Sequence, residues 1–304
     1  MSALRGGRDA EPVAEMVGLR WGRADLHVHT VASDGTAGVE EILAHVERAT
    51  DLDVVAITDH ERIDAALAAR TIARARGFRV EVVVGEEVTT RGGHLLALFL
   101  EERIAPFRSL RSTIAAVHEQ DGLAIPAHPL FPYPMCASGR TLHRLLHDPD
   151  PQVRPDALET FNPTTFGRPV HDRVVAFAAE ASLAAVGGSD AHDLAALGTC
   201  WTAFPGGSAA QLRAAILSGR TAPGGSFHST VGQLPTFGRQ LRKYGRDLRD
   251  EVRGRLSRER TGRHLGYPGG HLRPPRFDEA AYEAEHGRRL ARAEAGAEAG
   301  EERG

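Results

Sequence analysis

Residues 24–35 read "ADLHVHTVASDG" and contain two histidines, His27 and His29, one residue apart. The first six residues form a short run typical of a β-strand. Side chains two residues apart on a strand point to the same face, so both histidines can face one centre. An H-x-H pair alone does not establish a metal site, because two polar residues in a strand produce the same pattern. Whether His27 and His29 are metal ligands therefore depends on which further ligand residues the rest of the chain contains.

Short strand-like segments alternate with longer helix-like segments after residue 24. Strands are predicted at 24–29, 53–58, 79–85, 94–100, 122–128, 157–161 and 182–188. Helices are predicted at 38–51, 62–77 and 109–122, and a final strand and a helix capped near Ser208 are predicted within 202–225. Several strands are apolar on both faces, as expected for parallel strands covered by helices. Repeated βα units of this kind predict a barrel or an open parallel sheet.

The composition is that of an ordinary globular chain. Its 304 residues are 41% hydrophobic and 25% charged, and the net charge of −3 gives no general attraction to nucleic acid or membrane. Two distant cysteines, Cys136 and Cys200, argue for a reducing compartment and against a disulfide framework. The longest apolar run, 95–100, is too short to span a bilayer, and no signal peptide precedes it. We therefore expect a cytoplasmic protein without membrane insertion.

The composition and residue spacing of the chain change after residue 227. Residues 234–260 place apolar side chains at spacings of three and four, which predicts one apolar stripe on a basic helix. This helix either packs its stripe on the preceding domain or contacts nucleic acid or a membrane surface, and these readings stay open. The predicted organisation is an N-terminal extension (1–22), one α/β domain (23–227), a basic amphipathic extension (228–260) and a low-complexity, disordered tail (261–304).

Further histidines and carboxylates stand at the ends of the predicted strands. These residues are Asp59, His60, Glu86, Glu87, His128, Asp190 and His192, together with His94 at the start of a strand. The carboxyl ends of strands are where barrel enzymes keep their chemistry. Imidazole and carboxylate without thiolate suit Zn, Mn or Fe better than a structural zinc site. Because the set exceeds the needs of one ion, we predict a cluster of two or three divalent metal ions.

Six short segments, taken together and in order, resemble a known family. The segments are "DLHVHTVASDGT", "AITDH", "VVGEEVTT", "GGHLLAL", "AIPAHP" and "GGSDAH". Over residues 24–222 the chain resembles the PHP (polymerase and histidinol phosphatase) superfamily of metal-dependent phosphoesterases. The resemblance implies a distorted seven-stranded (β/α) TIM-like barrel that binds up to three metal ions. It also implies an enzyme, a phosphoric ester hydrolase.

The resemblance assigns three groups of metal ligands around one shared glutamate. The groups are His27, His29 and Asp190 for the first ion, His94 and His128 for the second, and Asp34, His60 and His192 for the third. The shared glutamate bridges the first two ions. The family pattern G-x-E selects Glu87 over Glu86, a choice that the residues alone leave open. The implied catalytic residues are Glu87, Asp190 and His192.

The implied reaction is a hydrolysis in which a hydroxide that bridges two ions attacks phosphorus in line. Arg91 and Arg168 lie near predicted ligand loops and are candidates to clamp a phosphate, although each also suits a solvated loop. Asn162 stands just beyond a strand end, where it orients substrate or water or serves only a turn. Glu159 is a candidate to support the site from behind the ligands.

The "SDGT" that follows the H-x-H-T resembles the branch of the family that acts on nucleotides and short oligonucleotides. We therefore expect a small nucleotide-like phosphate ester or a short oligonucleotide, selected by an irregular cap at 129–155. Histidinol phosphate or a non-phosphate ester is the alternative substrate class. A metal-binding regulatory or nucleic-acid-associated module acting through 234–260 is a third possibility, but the complete ligand set favours an enzyme.

Overall fold

The computed structural model describes residues 20–164 and 167–228. The strands are β1 (Trp21–Val28), β2 (Val54–Ile57), β3 (Glu81–Thr90), β4 (Gly93–Leu98), β5 (Leu123–Pro126), β6 (Ala157–Phe161), β7 (Ala184–Gly187), β8 (Cys200–Pro205) and β9 (Ala222–Gly225). The helices are α1 (Val39–Ala49), α2 (Asp64–Arg76), α3 (Leu110–His118), α4 (Gly139–Leu146), α5 (His171–Glu180) and α6 (Ala209–Leu217). The predicted N-terminal extension lies almost entirely outside these residues, and the basic helix and the tail lie fully outside them.

Seven strands form one curled, half-barrel sheet in the order β5-β4-β3-β2-β1-β8-β9. Strands β1, β2 and β3 run parallel, whereas the pairs β3–β4, β4–β5, β1–β8 and β8–β9 are antiparallel. Strands β6 and β7 form a separate parallel pair. The chain is therefore a mixed α/β fold.

The chain departs from repeated βα units between β3 and β4, where the sequence predicts no helix. A turn at Arg91 and Gly92 joins these strands directly into a hairpin, with no helix between them. Gly93 closes the turn with a φ of 119°, and a Cβ there would lie 2.4 Å from the backbone nitrogen of Ala137. Only glycine combines that conformation with so close an approach. Within the described residues, strand ladders do not join the two sheets, so a full (β/α)7 barrel is not confirmed.

Serines cap the N-termini of helices in the structure. Ser109 and Ser208 cap α3 and α6, since each hydroxyl accepts a hydrogen bond from the backbone N–H three residues later. The side chain of Gln211 bonds back to Ser208 and completes a capping box. The prediction of a helix capped near Ser208 is confirmed.

The sheet buries apolar side chains on both faces. For this reason several of its strands, such as β2, β4 and β5, do not alternate buried with exposed residues. In β2, Val54 and Ala56 belong to the inner apolar cluster, whereas Val55 and Ile57 belong to the cluster that packs against the helices. A fully buried side chain of this size contributes about 1.5–3 kcal/mol to folding. Among the described residues, no helix is long and apolar enough to cross a membrane.

A buried carboxylate ties β1 to the segment that follows β7. Asp25 accepts hydrogen bonds from the backbone N–H and the hydroxyl of Ser189, and from the N–H of Gly198 at 2.9 Å. Because Asp25 precedes His27 and Ser189 precedes Asp190, this contact fixes two ligand-bearing segments against each other.

Replacement of this carboxylate should destabilise the fold. Asp25→Ala leaves the N–H groups of Ser189 and Gly198 without their acceptor, and we expect a loss of about 2–4 kcal/mol in the free energy of unfolding. Urea denaturation followed by circular dichroism measures it. The control is Asp51→Ala, which removes an exposed partner of Arg23 and should leave the midpoint nearly unchanged. Equal midpoints for wild type and Asp25→Ala would contradict this role.

Candidate metal centre

The side chains predicted as metal ligands lie together at one edge of the sheet. They are His27, His29, Asp34, His60, Glu87, His94, His128, Asp190 and His192, and each is at most 9% exposed. Most of them end or follow β1, β2, β5 and β7, as the sequence indicates. His94 opens β4 instead, but β4 is antiparallel to β3, so its first residues lie at the same edge.

Glu87 is at the centre of this cluster. Its Oε1 lies 2.5 Å from His94 Nδ1 and 3.0 Å from His128 Nε2. Its Oε2 lies 3.3–3.4 Å from ring nitrogens of three further histidines, namely His27, His29 and His60. Glu86, the neighbour on β3, lies away from these rings, and its Oε1 accepts a hydrogen bond from the N–H of Ile104. The alternation of a strand therefore places one glutamate in the cluster and the other outside it.

Two aspartates complete the carboxylate set. Asp190 Oδ1 lies 3.5 Å from His27 Nε2 and 3.4 Å from His29 Nε2. Asp34 Oδ2 lies 3.2 Å from His192 Nε2 and 3.7 Å from His60 Nε2. Each carboxylate thus faces two imidazoles, as ligands that share an ion do.

The ligand atoms fall into three groups, each with all members within 4.8 Å of one another. The groups are His27, His29 and Asp190; His60, Glu87 and His94; and His29, Asp34, His60 and His192. His29 and His60 each belong to two groups, whereas the sequence assigned each of them to one.

The residues suit divalent cations. Among the described residues, His27 Nε2 and both ring nitrogens of His29 are buried without a hydrogen-bond partner. Buried polar atoms are normally satisfied, and a metal ion supplies the missing partner. The donors are imidazole and carboxylate, the ligand types that bind Zn, Mn and Fe in catalytic sites.

Opposite charges balance each other inside the cluster. Burial raises the pKa of Glu87 and Asp190, but the surrounding histidines outweigh it and hold both pKa values well below the usual range. Burial lowers the pKa of His27, yet the carboxylates of Asp190, Glu159 and Glu87 hold it well above its usual value. Entering cations therefore replace protons on the histidines.

Glu159 and Asn162 support the ligands from behind. Glu159 Oε1 lies 2.9 Å from His27 Nδ1, and its Oε2 accepts from the backbone N–H of His128 at 2.6 Å. Asn162 Nδ2 donates to Glu159 Oε2 at 3.1 Å and to Asp190 Oδ2 at 3.3 Å. Of the three residues predicted to bind substrate, Asn162 is the one in contact with the ligand set among the described residues.

The contacts of the two arginines predicted to clamp phosphate are with residues outside the ligand set. Arg168 begins a short 3-10 helix, and its guanidinium stands 5.6 Å from the ring centroid of Phe227. Arg91 lies in the hairpin turn, where its N–H donates to the carbonyl of Arg108. Neither forms an ion pair with the metal-ligand cluster within the described chain.

The sequence analysis did not predict the contacts that Asp59 and His228 make near the site. Asp59 accepts hydrogen bonds from the N–H and hydroxyl of Thr30 and from the hydroxyl of Ser33, so it fixes the loop between His29 and Asp34. His228 Nε2 lies 2.7 Å from Thr199 Oγ1, and the N–H of His228 donates to the carbonyl of Pro163. The "DH" dipeptide was a signal for Asp59, but its partners are 26 and 29 residues away.

Solved structures share this fold. A two-domain protein from Bacteroides vulgatus, described as containing a predicted PHP-like metal-dependent phosphoesterase, superposes with a TM-score of 0.56 at 18% identity. The alignment covers 69% of this chain and 66% of that protein. PsfC from Pseudomonas syringae superposes with a TM-score of 0.52 at 19% identity, covering 75% of this chain and 99% of PsfC.

One curated relative and one family model match the sequence of this chain. An uncharacterized protein of Methanocaldococcus jannaschii is 37% identical over 121 residues, which cover 36% of this chain and 69% of that relative. A family model described as PHP-associated matches residues 169–221. Both the shared fold and this matched segment agree with the resemblance of the chain to the PHP superfamily. The matched PHP-associated segment includes Asp190 and His192, so it overlaps the ligand cluster.

Paired substitutions test the role of Glu87 in this cluster. Glu87→Gln removes the charge at the centre of five imidazoles, and we expect bound metal to fall at least about tenfold. Glu86→Gln is the matched control on the opposite face and should retain wild-type metal content. Inductively coupled plasma mass spectrometry on purified protein measures both. Metal loss in Glu86→Gln with full retention in Glu87→Gln would reverse the assignment.

The free energy of unfolding of the domain also depends on pH through the buried carboxyl of Glu86. Burial raises its pKa from 4.5 to about 8, so the folded carboxyl stays neutral where the unfolded chain ionises. Its contribution to stability is complete below pH ~4.5 and is lost as the pH rises through about 8, by roughly 5 kcal/mol at most. Glu86→Gln should remove this decline, which urea denaturation between pH 5 and pH 8 measures. Parallel stability profiles for the two proteins would contradict it.

Proposed function

We propose that this domain is a metal-dependent phosphoesterase that binds two or three divalent ions of Mn, Zn or Fe. The observation that carries the proposal is the set of buried imidazoles and carboxylates gathered around Glu87 in three groups. A structural zinc site needs four ligands, and this cluster offers more than twice as many. The resemblance to the PHP superfamily and the PHP-associated segment at 169–221 support the same chemistry.

The three groups of ligand atoms are the proposed cation sites. His27, His29 and Asp190 form one site, and Asp34, His60 and His192 belong to another. Glu87 contributes to the remaining site and faces the first. When bound, divalent ions supply charge neutralisation for phosphoryl oxygens and lower the pKa of water.

The residues of the chain hold these ligands in the orientation that cation binding requires. The carboxylate of Glu159 accepts the Nδ1 proton of His27, which leaves His27 Nε2 directed at Glu87 and Asp190. The backbone carbonyl of Asp190 lies 2.9 Å from His192 Nδ1, so His192 Nε2 faces Asp34. Asn162 links Glu159 with Asp190 and is the proposed contact for substrate.

The proposed substrate is a nucleotide-like phosphate ester or a short oligonucleotide. The cap predicted at 129–155 touches two ligands, which supports its role in substrate selection. Cys136 Sγ lies 3.4 Å from His128 Nδ1, and the N–H of His94 donates to the carbonyl of Met135. Nucleic-acid contact through 234–260 concerns residues outside the described part of the chain and stays a prediction, as does the cytoplasmic location.

A substrate panel with a ligand variant tests the function. The full chain, loaded with Mn²⁺, should hydrolyse nucleotides or short oligonucleotides more efficiently than histidinol phosphate. His27→Ala should reduce turnover by at least about a hundredfold, because it opens the first cation site. The control is His143→Ala, an exposed histidine on α4, which should retain activity. Phosphate release that His27→Ala leaves unchanged, or a wild type without activity on any ester, would refute the proposal.

Protons and cations compete for His192, and this competition gives a second test of the proposed function. Burial lowers the pKa of His192, but the carboxylates of Asp34 and Asp190 outweigh it and raise the pKa to about 9. The metal-free protein therefore holds this proton at neutral pH, and cation binding must release it. We expect the apparent affinity for Mn²⁺ to increase as the pH rises from about 6 to about 9. Isothermal titration calorimetry in buffers of different ionisation enthalpy measures affinity and proton release, and a flat profile would contradict it.

A further inference from the structure

A cavity of about 370 Å³ lies beside the hairpin turn between β3 and β4. The turn contributes Arg91, the start of α3 contributes Leu110 and Arg111, and α4 contributes Arg144 and Leu145. The proposed metal ligands do not line it. The cavity is therefore separate from the metal centre, and its volume lies within the usual range for ligand pockets.

Positive charge dominates the polar part of this cavity. Three arginines, Arg91, Arg111 and Arg144, and one aspartate, Asp148, line it. Asp148 is engaged by Arg111 at 2.9 Å. Within the described chain, Arg91 and Arg144 have no carboxylate at ion-pair distance. Two guanidinium groups thus remain available for an anion, and their fork geometry matches a phosphate.

The remaining wall of the cavity is apolar. Leu110 and Leu145 are 2% and 4% exposed and belong to the apolar cluster under the helices. Gly92 brings the turn close to this wall, since a Cβ on it would lie 3.0 Å from Leu110 Cβ. An apolar wall beside a pair of arginines suits a ligand with one flat apolar face and one phosphate, such as a nucleotide unit.

The chain connects this cavity closely to the metal centre. Arg91 lies three residues before His94, whose ring nitrogen faces Glu87. Three residues span at most about 11 Å between Cα atoms, and an arginine side chain extends the reach further. The N–H of Arg91 donates to the carbonyl of Arg108 at 2.9 Å, which holds the turn against the segment before α3.

We propose that this cavity binds a second nucleotide unit of an oligonucleotide substrate, away from the scissile phosphate. Its phosphate contacts Arg91 and Arg144, and its base lies against Leu110 and Leu145. The inference rests on the proposed function and narrows the substrate class to chains with at least two nucleotide units.

The test uses the full-length, metal-free protein and a fluorescein-labelled pentanucleotide, with fluorescence anisotropy as the readout. Arg144→Ala should weaken binding about tenfold and reduce the slope of log K against log salt concentration by about 0.7, as expected for one lost phosphate contact. Arg144→Lys keeps the charge and should recover part of the affinity. The control is Arg70→Ala, which removes the same charge from the exposed pair with Glu101 and should bind within about twofold of wild type.

Three outcomes would overturn the proposal. They are wild-type affinity in Arg144→Ala, an equal loss in Arg70→Ala, and a labelled mononucleotide that binds as tightly as the pentanucleotide. With Mn²⁺ present, the KM of Arg144→Ala for the pentanucleotide should rise more than kcat falls. Because binding is measured without metal, a failure of hydrolysis in wild type sinks the proposed function and leaves the binding result standing.

Discussion

The carboxylate of Glu87 lies within 3.4 Å of nitrogen atoms from five histidine rings, and the rest of the site is arranged around this contact. A buried carboxylate is costly unless positive charge accompanies it. Here the compensating groups come from β1, β2, β4 and the segment after β5, so folding of the sheet and assembly of the ligand cluster are one event. Cations that bind among these side chains replace protons without adding a new element of structure.

Other buried polar groups hold the segments that carry the ligands. Asp25 joins β1 to the loop after β7, Asp59 fixes the loop between His29 and Asp34, and Glu159 reaches both His27 and His128. Each carboxylate satisfies backbone or ring N–H groups in loops that have no ladder of their own. The ligands therefore rest on a preorganised support, which is what metal sites require for affinity and geometry.

The mixed topology explains how the cavity and the metal centre come to be neighbours. A parallel βα unit would place a helix between β3 and β4 and carry Arg91 away from His94. The hairpin instead keeps both residues at one edge of the sheet, with α3 and α4 packed beside the turn. The same edge then presents His94 on β4 and Arg91 at the turn.

The sequence by itself determined the order of most strands and helices, the caps at Ser109 and Ser208, and the presence of histidines and carboxylates at strand ends, because periodicity, capping and H-x-H spacing are local properties. The full ligand set, with Asp34 in it, came from the family resemblance. The choice of Glu87 over Glu86 came from family resemblance, and the structure separates the two by strand alternation. Only the tertiary structure decided the antiparallel pairing of β3 with β4, the contact of Arg168 with Phe227, and the partnership of Glu159 with His27 across 132 residues. Contacts of that separation depend on how strands pair and curl, which no local pattern specifies.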